Sequence, residues 1–300
     1  MTPQELVASL DSTRRRELEQ ITRVQATAWP TVILCVILVT GVAASDVLAL
    51  TGVIPLWAGL IANSLLGYLA FSVAHDAIHR AVCRNTRVND WVGQIAVLMI
   101  APYVHLGLFR WGHVQHHRFA VSDKDPDRVF RGPWWQLPLR WSFIDLAYFR
   151  EVMRSEDPRA RRFLRPSLWM LAIAAALAVA LTAAGYGWEL LLLWFLPSRL
   201  VQMMLGFSFF WLPHVPHDVS QAENFTRATT MRLGQEWLLG PLLQYQNYHL
   251  MHHLFPTTPF YRHARLWQLV EPELRGAELA IQNGFAIHPT IHAPASRSAA

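Results

Sequence analysis

Four blocks of the chain, residues 31–50, 53–73, 167–184 and 188–212, are apolar over eighteen residues or more. Each is long enough to cross the ~30 Å hydrocarbon core of a bilayer. No water reaches that core, so every backbone N–H and C=O must be satisfied within the segment, and an isolated crossing segment of this length is a helix. Only a few residues separate the first block from the second and the third from the fourth, which makes two helical hairpins. Charges inside the blocks are few, with Asp46 near the far end of the first and Arg199 within the fourth. Composition agrees, at 53% hydrophobic and 16% charged residues, where soluble domains have about 25% charged. The expected fold is all-α: a polytopic membrane protein with four transmembrane helices in two hairpins and a cytoplasmic helical cap made from the remaining segments.

The cations set the orientation. Of the 26 Lys and Arg residues, 4 precede the first block, 15 lie between Arg80 and Arg165 and 6 follow Leu212, while neither hairpin loop carries one. If four segments cross, all loop cations share one side, as the positive-inside rule requires of the cytoplasm. A fifth apolar stretch, residues 91–109, contains Pro102, His105 and Gly107. A crossing there would break the one-sidedness, so it is interfacial or re-entrant. These counts predict an integral protein of the cell inner membrane with both termini cytoplasmic. They also account for the net charge of +5, which in a soluble chain would point to nucleic acid. No nucleic-acid partner is expected.

Residues 1–30 are a polar, cytoplasmic N-terminal segment without the pattern of a cleavable signal peptide. Thr2-Pro3-Gln4-Glu5 has the cap, proline and glutamate of a helix start. Leu6, Leu10, Leu18 and Ile21 then form one stripe of an amphipathic helix, either solvated or lying on a membrane surface. Residues 31–287 form the membrane domain. Residues 288–300, rich in Pro, Ala and Ser, are expected to be a disordered tail. Two cysteines, Cys35 and Cys83, do not support a disulfide framework.

Ten of the 14 histidines fall in four clusters, all beyond span ends on the predicted cytoplasmic side. These are His75 with His79; His113, His116 and His117; His214 with His217; and His249, His252 and His253. Residues three and four apart share a helix face, so each cluster can present two or three imidazoles to one place. Eight imidazoles from the three main clusters exceed one tetrahedral zinc and suit two metals with positions left open. His214 and His217 are less regular candidates, because Pro216 lies between them. His105, His263, His288 and His292 stand alone and are expected to be structural or solvated. A ligating imidazole donates its other N–H to a carboxylate, carbonyl or water. Asp76, Asp218 and Asn247 stand close enough in sequence to do this. Asp125 and Asp127 could as well, although Asp125-Pro126-Asp127 also has the makings of a turn.

The pattern HxxxH, HxxHH, HxxHH among four apolar blocks resembles the membrane fatty acid desaturase family over about residues 58–270. The run from Asn247 through His249, His252, His253 and Pro256 to Arg262 is similar to that family's third histidine box. Residues 211–218 are similar to a segment of its bacterial carotenoid hydroxylases and ketolases. The resemblance implies two iron ions, O₂ as co-substrate, and a separate electron donor, a ferredoxin or similar redox protein. It also implies a long apolar membrane lipid, carotenoid or fatty-acyl, that is desaturated, hydroxylated or converted to a ketone. Two other classes compete. A zinc-dependent membrane hydrolase acting on a lipid would need fewer ligands and a carboxylate base, and no HExxH is present. A metal transporter would place its ligands near mid-membrane.

Overall fold

A computed structural model of the chain describes residues 1–294. The chain opens with α1 (Pro3–Ser9) and α2 (Ser12–Thr22), followed by the hairpin of α3 (Trp29–Leu50) and α4 (Leu56–Ile78). Four helices come next, α5 (Thr86–Ile100), α6 (Leu106–Phe119), α7 (Leu137–Trp141) and α8 (Ile144–Arg154). The second hairpin is α9 (Pro158–Ala183) and α10 (Gly187–His214). It is followed by β1 (Thr230–Leu233), α11 (Glu236–Leu242), α12 (His249–Leu254), α13 (His263–Leu274), β2 (Leu279–Asn283) and β3 (Thr290–His292). Among the described residues, α3, α4, α9 and α10 are the four helices long and apolar enough to cross a membrane. They match the four blocks of the sequence, with α9 starting nine residues earlier, at Pro158, and α10 continuing to His214. With 15 and 14 residues, α5 and α6 are too short to cross as single helices.

Two compact units make up the chain, one of residues 26–114 and 129–207, the other of residues 1–25, 115–128 and 208 onward. In the first, small residues let the spans approach closely. A Cβ at Gly67 of α4 would stand 2.8 Å from Val201 Cγ2 and 2.9 Å from the Met99 carbonyl oxygen, so only glycine fits between α5 and α10. Arg199, the charge inside the fourth span, is matched by Asp145 of α8. Its Nη2 donates to Oδ2 at 2.6 Å and its Nη1 to Oδ1 at 3.2 Å, and Tyr103 and Gln202 also bond the carboxylate. A charge at this depth is tolerated because it is paired.

The second unit corrects the reading of the N-terminus. The expected single amphipathic helix is two helices, broken between Ser9 and Ser12, with the expected capping box at Thr2 and Glu5. Its stripe is neither solvated nor free to lie on a membrane. Leu6, Leu10, Leu18 and Ile21 are buried in a core with Met231, Met251 and Leu266. Burial of each contributes about 2 kcal/mol, and polar contacts fix the docking. Arg14 Nη2 donates to Glu273 Oε2 at 2.6 Å, and Arg262 Nη1 donates to the Ile21 carbonyl at 2.8 Å near the end of α2. The same unit holds a small sheet that the all-α reading lacks, with β2 parallel to β1 and antiparallel to β3. Residues 290–292, inside the stretch expected to be a disordered tail, form β3, and residues 295–300 of that tail lie outside the described residues.

Candidate metal centre

In the first unit, His75 and His79 lie one turn apart at the end of α4, and His113 faces them from α6. The three ring centroids are 4.8–5.1 Å apart, and the Nε2 atoms of His75 and His113 are 3.0 Å apart. The end of α4 is held by Arg110, one turn before His113. Its Nε donates to the Ile78 carbonyl at 3.0 Å and its Nη2 to the Ala77 carbonyl at 2.8 Å, which satisfies acceptors the helix end leaves open. The same guanidinium bonds Asp90 Oδ1 at 2.6 Å. Burial raises the Asp90 carboxyl, but its bonds to Arg110 and Asn89 outweigh that and hold it below the usual carboxylate value. Arg110 and His113 share a face of α6, so one side chain locks α4 opposite the imidazole of its neighbour.

The second unit gathers His116 of α6, His214 at the end of α10, and His249 and His253 of α12. One ring nitrogen from each lies within 4.8 Å of the others, and all four residues are buried. The inner Nε2 atoms stand 3.1 Å apart for His116 and His214, 3.2 Å for His214 and His249, and 3.1 Å for His249 and His253. Each outer Nδ1 has an oxygen partner. For His116 it is Asp125 Oδ1 at 3.1 Å, with Asp127 Oδ2 at 3.2 Å. For His214 it is the Ala228 carbonyl at 3.0 Å, for His249 it is Gln246 Oε1 at 2.6 Å, and for His253 it is Gln221 Oε1 at 3.0 Å. The Gln221 amide is oriented by its Nε2, which donates to the His117 carbonyl at 2.8 Å.

These oxygens decide the protonation. A carboxylate or carbonyl can only accept, so each Nδ1 carries the proton and each Nε2 keeps a lone pair. Four lone pairs converging at this distance repel one another unless a cation lies among them. The donor set therefore fits a metal ion, and imidazole nitrogen suits iron, zinc, copper or nickel. His117 and His252 adjoin the group, with Nε2 atoms 2.7 Å apart and the His117 ring stacked on that of His253 at 4.2 Å.

Of the two less regular candidates, His214 lies in the group and His217 does not. The His217 ring is 6.4 Å from that of His214, centroid to centroid, and its backbone is left-handed at φ 65°. Asp218 Oδ2 accepts from the Arg227 guanidinium at 2.7 Å. Asp76 is buried and accepts from Thr31 Oγ1 at 2.7 Å. Asn247 is buried, but its neighbour Gln246 takes the position beside His249, being three residues before it and on the same face. Sequence reasoning missed Arg110, Gln221, Gln246 and the Ala228 carbonyl, and only Arg110 and Gln246 carried a signal, their i, i+3 spacing to a box histidine. His263 is a structural residue, with Nε2 3.0 Å from the Thr258 carbonyl and burial holding its pKa down at about 4.

Comparison with known proteins gives a consistent result. The family model described as fatty acid desaturase matches residues 51–284. A β-carotene ketolase of Paracoccus sp. (strain PC1) is 31% identical over 196 residues, 64% of this chain and 71% of the relative. An sn-1 oleoyl-lipid 12-desaturase of Arthrospira platensis is 26% identical over 267 residues, 78% of this chain and 73% of the relative. A dihydrorhizobitoxine desaturase of Bradyrhizobium elkanii is 27% identical over 215 residues, 63% of this chain and 60% of the relative. The match covers most of the chain, including α4, the second hairpin and every histidine cluster, and the chain belongs to the fatty acid desaturase family.

Proposed function

We propose that this membrane oxidoreductase acts on lipid as an O₂-dependent, non-haem di-iron enzyme that hydroxylates or desaturates C–H bonds of a long apolar substrate. The observation that carries the reading is the buried group of four imidazoles whose outer nitrogens are all tied to oxygen acceptors. Two ions are supported by two separate histidine groups, one in each unit. His75, His79 and His113 would hold one ion and His116, His214, His249 and His253 the other, with His117 and His252 as the remaining ligands. Bound iron supplies activation of O₂ with two electrons, which an unactivated C–H bond requires and no side chain provides. The protein's own part is to hold each Nε2 deprotonated and aimed, through Asp125, Gln221, Gln246 and the Ala228 carbonyl. Burial of those rings keeps water from competing for the ligand positions. Hydroxylation consumes one O₂, two electrons and two protons and releases one water, so an external one-electron donor of the ferredoxin type must serve it. The one-sided cations support an inner-membrane orientation with both termini and the histidines in the cytoplasm.

A carotenoid is favoured over an acyl lipid, since the ketolase is the more similar of the relatives described and the segment around His214 and His217 resembles that branch. The test is metal and product analysis together. Purified protein should carry two irons per chain. Membranes containing it should convert β-carotene to a hydroxylated or keto product when given reduced ferredoxin and O₂. One zinc per chain without iron would overturn the reading. Conversion of an oleoyl lipid alone would retain the chemistry and change the substrate.

A further inference from the structure

A cavity of about 980 Å³ opens among α3, α4, α5, α9 and α10, near the hairpin turns. That size is typical of a small-molecule site. It is not part of the histidine groups: Asn63 in its wall precedes His75 on α4 by twelve residues, about 18 Å along the axis. Leu98, Leu181 and Ile173 are among its apolar walls, interrupted by the acceptor-bearing side chains of Asp46, Asn63 and Glu189 and by the Tyr186 hydroxyl and Trp194 indole. Asn63 is only 5% exposed. Its Nδ2 donates to Asp46 Oδ1 at 2.8 Å and to the Leu193 carbonyl at 2.9 Å, which uses its donor capacity. What Asn63 has left is Oδ1, which is buried and accepts nothing among the described residues. Glu189 Oε2 is in the same condition.

The buried unmet atoms of the pocket's lining are therefore both acceptors, and no Lys, Arg or His lines it. That combination selects among the molecules a bilayer can deliver. A pure hydrocarbon would leave these acceptors without partners, whereas a donor would satisfy them. A carboxylate or phosphate would meet two acidic side chains with no cation to offset them. An ammonium would donate well, but it would have to shed its water in the hydrocarbon to enter. We propose that the cavity binds a neutral apolar molecule carrying a hydroxyl group, a lipid alcohol, with the O–H donated to Asn63 Oδ1 or Glu189 Oε2.

Photolabelling of the metal-loaded, full-length protein in nanodiscs tests this directly. The probes are octadecanol, octadecanoate, octadecylamine and octadecane, each bearing the same mid-chain diazirine, and labelled peptides are mapped by mass spectrometry. The alcohol should label the segment from Leu177 to Trp194 about tenfold more than the acid or the alkane, the worth of one or two hydrogen bonds. Unlabelled octadecanol should compete. Glu189→Leu and Asn63→Leu should each bring the alcohol down toward the alkane's level with bound iron unchanged. Asn63 also ties α4 to α3 and α10, so Glu189→Leu, which removes no internal bond, is the deciding variant. Equal labelling by all four chains, strongest labelling by the acid or the amine, or full alcohol labelling in Glu189→Leu would overturn the proposal.

Discussion

An imidazole becomes a ligand by what its other nitrogen does. Asp125 shows how much one such contact carries, because its Oδ1 takes both the His116 ring and the Asp127 N–H, the latter at 2.9 Å, while Oδ2 takes the Val121 N–H at 2.9 Å. Asparagine can keep only part of this, since one terminal atom becomes a donor. Removing a partner of this kind costs about 10- to 100-fold in metal affinity or activity. Asp125→Ala is therefore expected to lose that much iron affinity, measured by chelator competition, with Asp125→Asn in between. Gln221→Ala should fall in the same range through His253. His214→Ala removes a ring from the group itself and should abolish iron at that position. His217→Ala, whose ring lies outside the group, should leave the iron count unchanged. Normal iron and activity in His214→Ala would remove that residue from the ligand set, whatever became of the three boxes.

At the scale of elements, the docking of α1 and α2 is the feature with the clearest energetic consequence. Leu18 is 3% exposed and packs in the core shared by α12 and α13, and truncation of such a leucine costs about 2–5 kcal/mol. Leu18→Ala should thus lower the thermal midpoint of the purified protein by several degrees. A helix resting on a membrane surface would lose vesicle affinity in that variant and keep its midpoint, so an unchanged midpoint would sink the docked arrangement. The contrast also shows what a sequence can and cannot carry. The spans were legible because hydrocarbon demands an unbroken apolar run, and the boxes because i, i+3 and i, i+4 spacings put imidazoles on one face. Leu6, Leu10, Leu18 and Ile21 showed an apolar side, read as solvated or membrane-facing, but not the core that covers it, because a stripe looks the same whether a core or a lipid surface lies against it. The pairing of Thr230 with Ala280 joins four- and five-residue strands fifty residues apart, too short to show a period. Asp125 looked like a turn residue because it is one, and its second role lies in the fold of residues 119–127.

For the whole molecule, the distribution of charge carries the proposed orientation and the proposed route of electrons. Reporter fusions at Asp46 and Gly185 should register the non-cytoplasmic side, and a cytoplasmic signal from either would reverse the topology. On the cation-bearing side, the end of α8 and the first turns of α9 place Arg150, Arg154, Arg159, Arg161, Arg162 and Arg165 in one stretch, all exposed. Glu151, Glu156 and Asp157 interrupt it; Glu151 pairs with Arg150 at 3.6 Å, and Asp157 is committed to capping α9 through the Arg159 N–H at 2.9 Å. The proposed one-electron donor would gain from such a patch, because complementary charge raises encounter rates by about 10- to 1,000-fold and salt screens the gain. We predict that an acidic ferredoxin docks here. Reversing Arg159, Arg161 and Arg162 to Glu should slow ferredoxin-supported turnover about tenfold or more at low ionic strength. The difference should shrink as salt rises, and turnover with a small uncharged reductant should stay at the native rate. The same arginines could instead hold anionic lipid. In that case the triple variant would change with the lipid composition of the vesicle and respond alike to both reductants. Ferredoxin-supported rates indifferent to salt and to the triple reversal would place the donor's contact elsewhere.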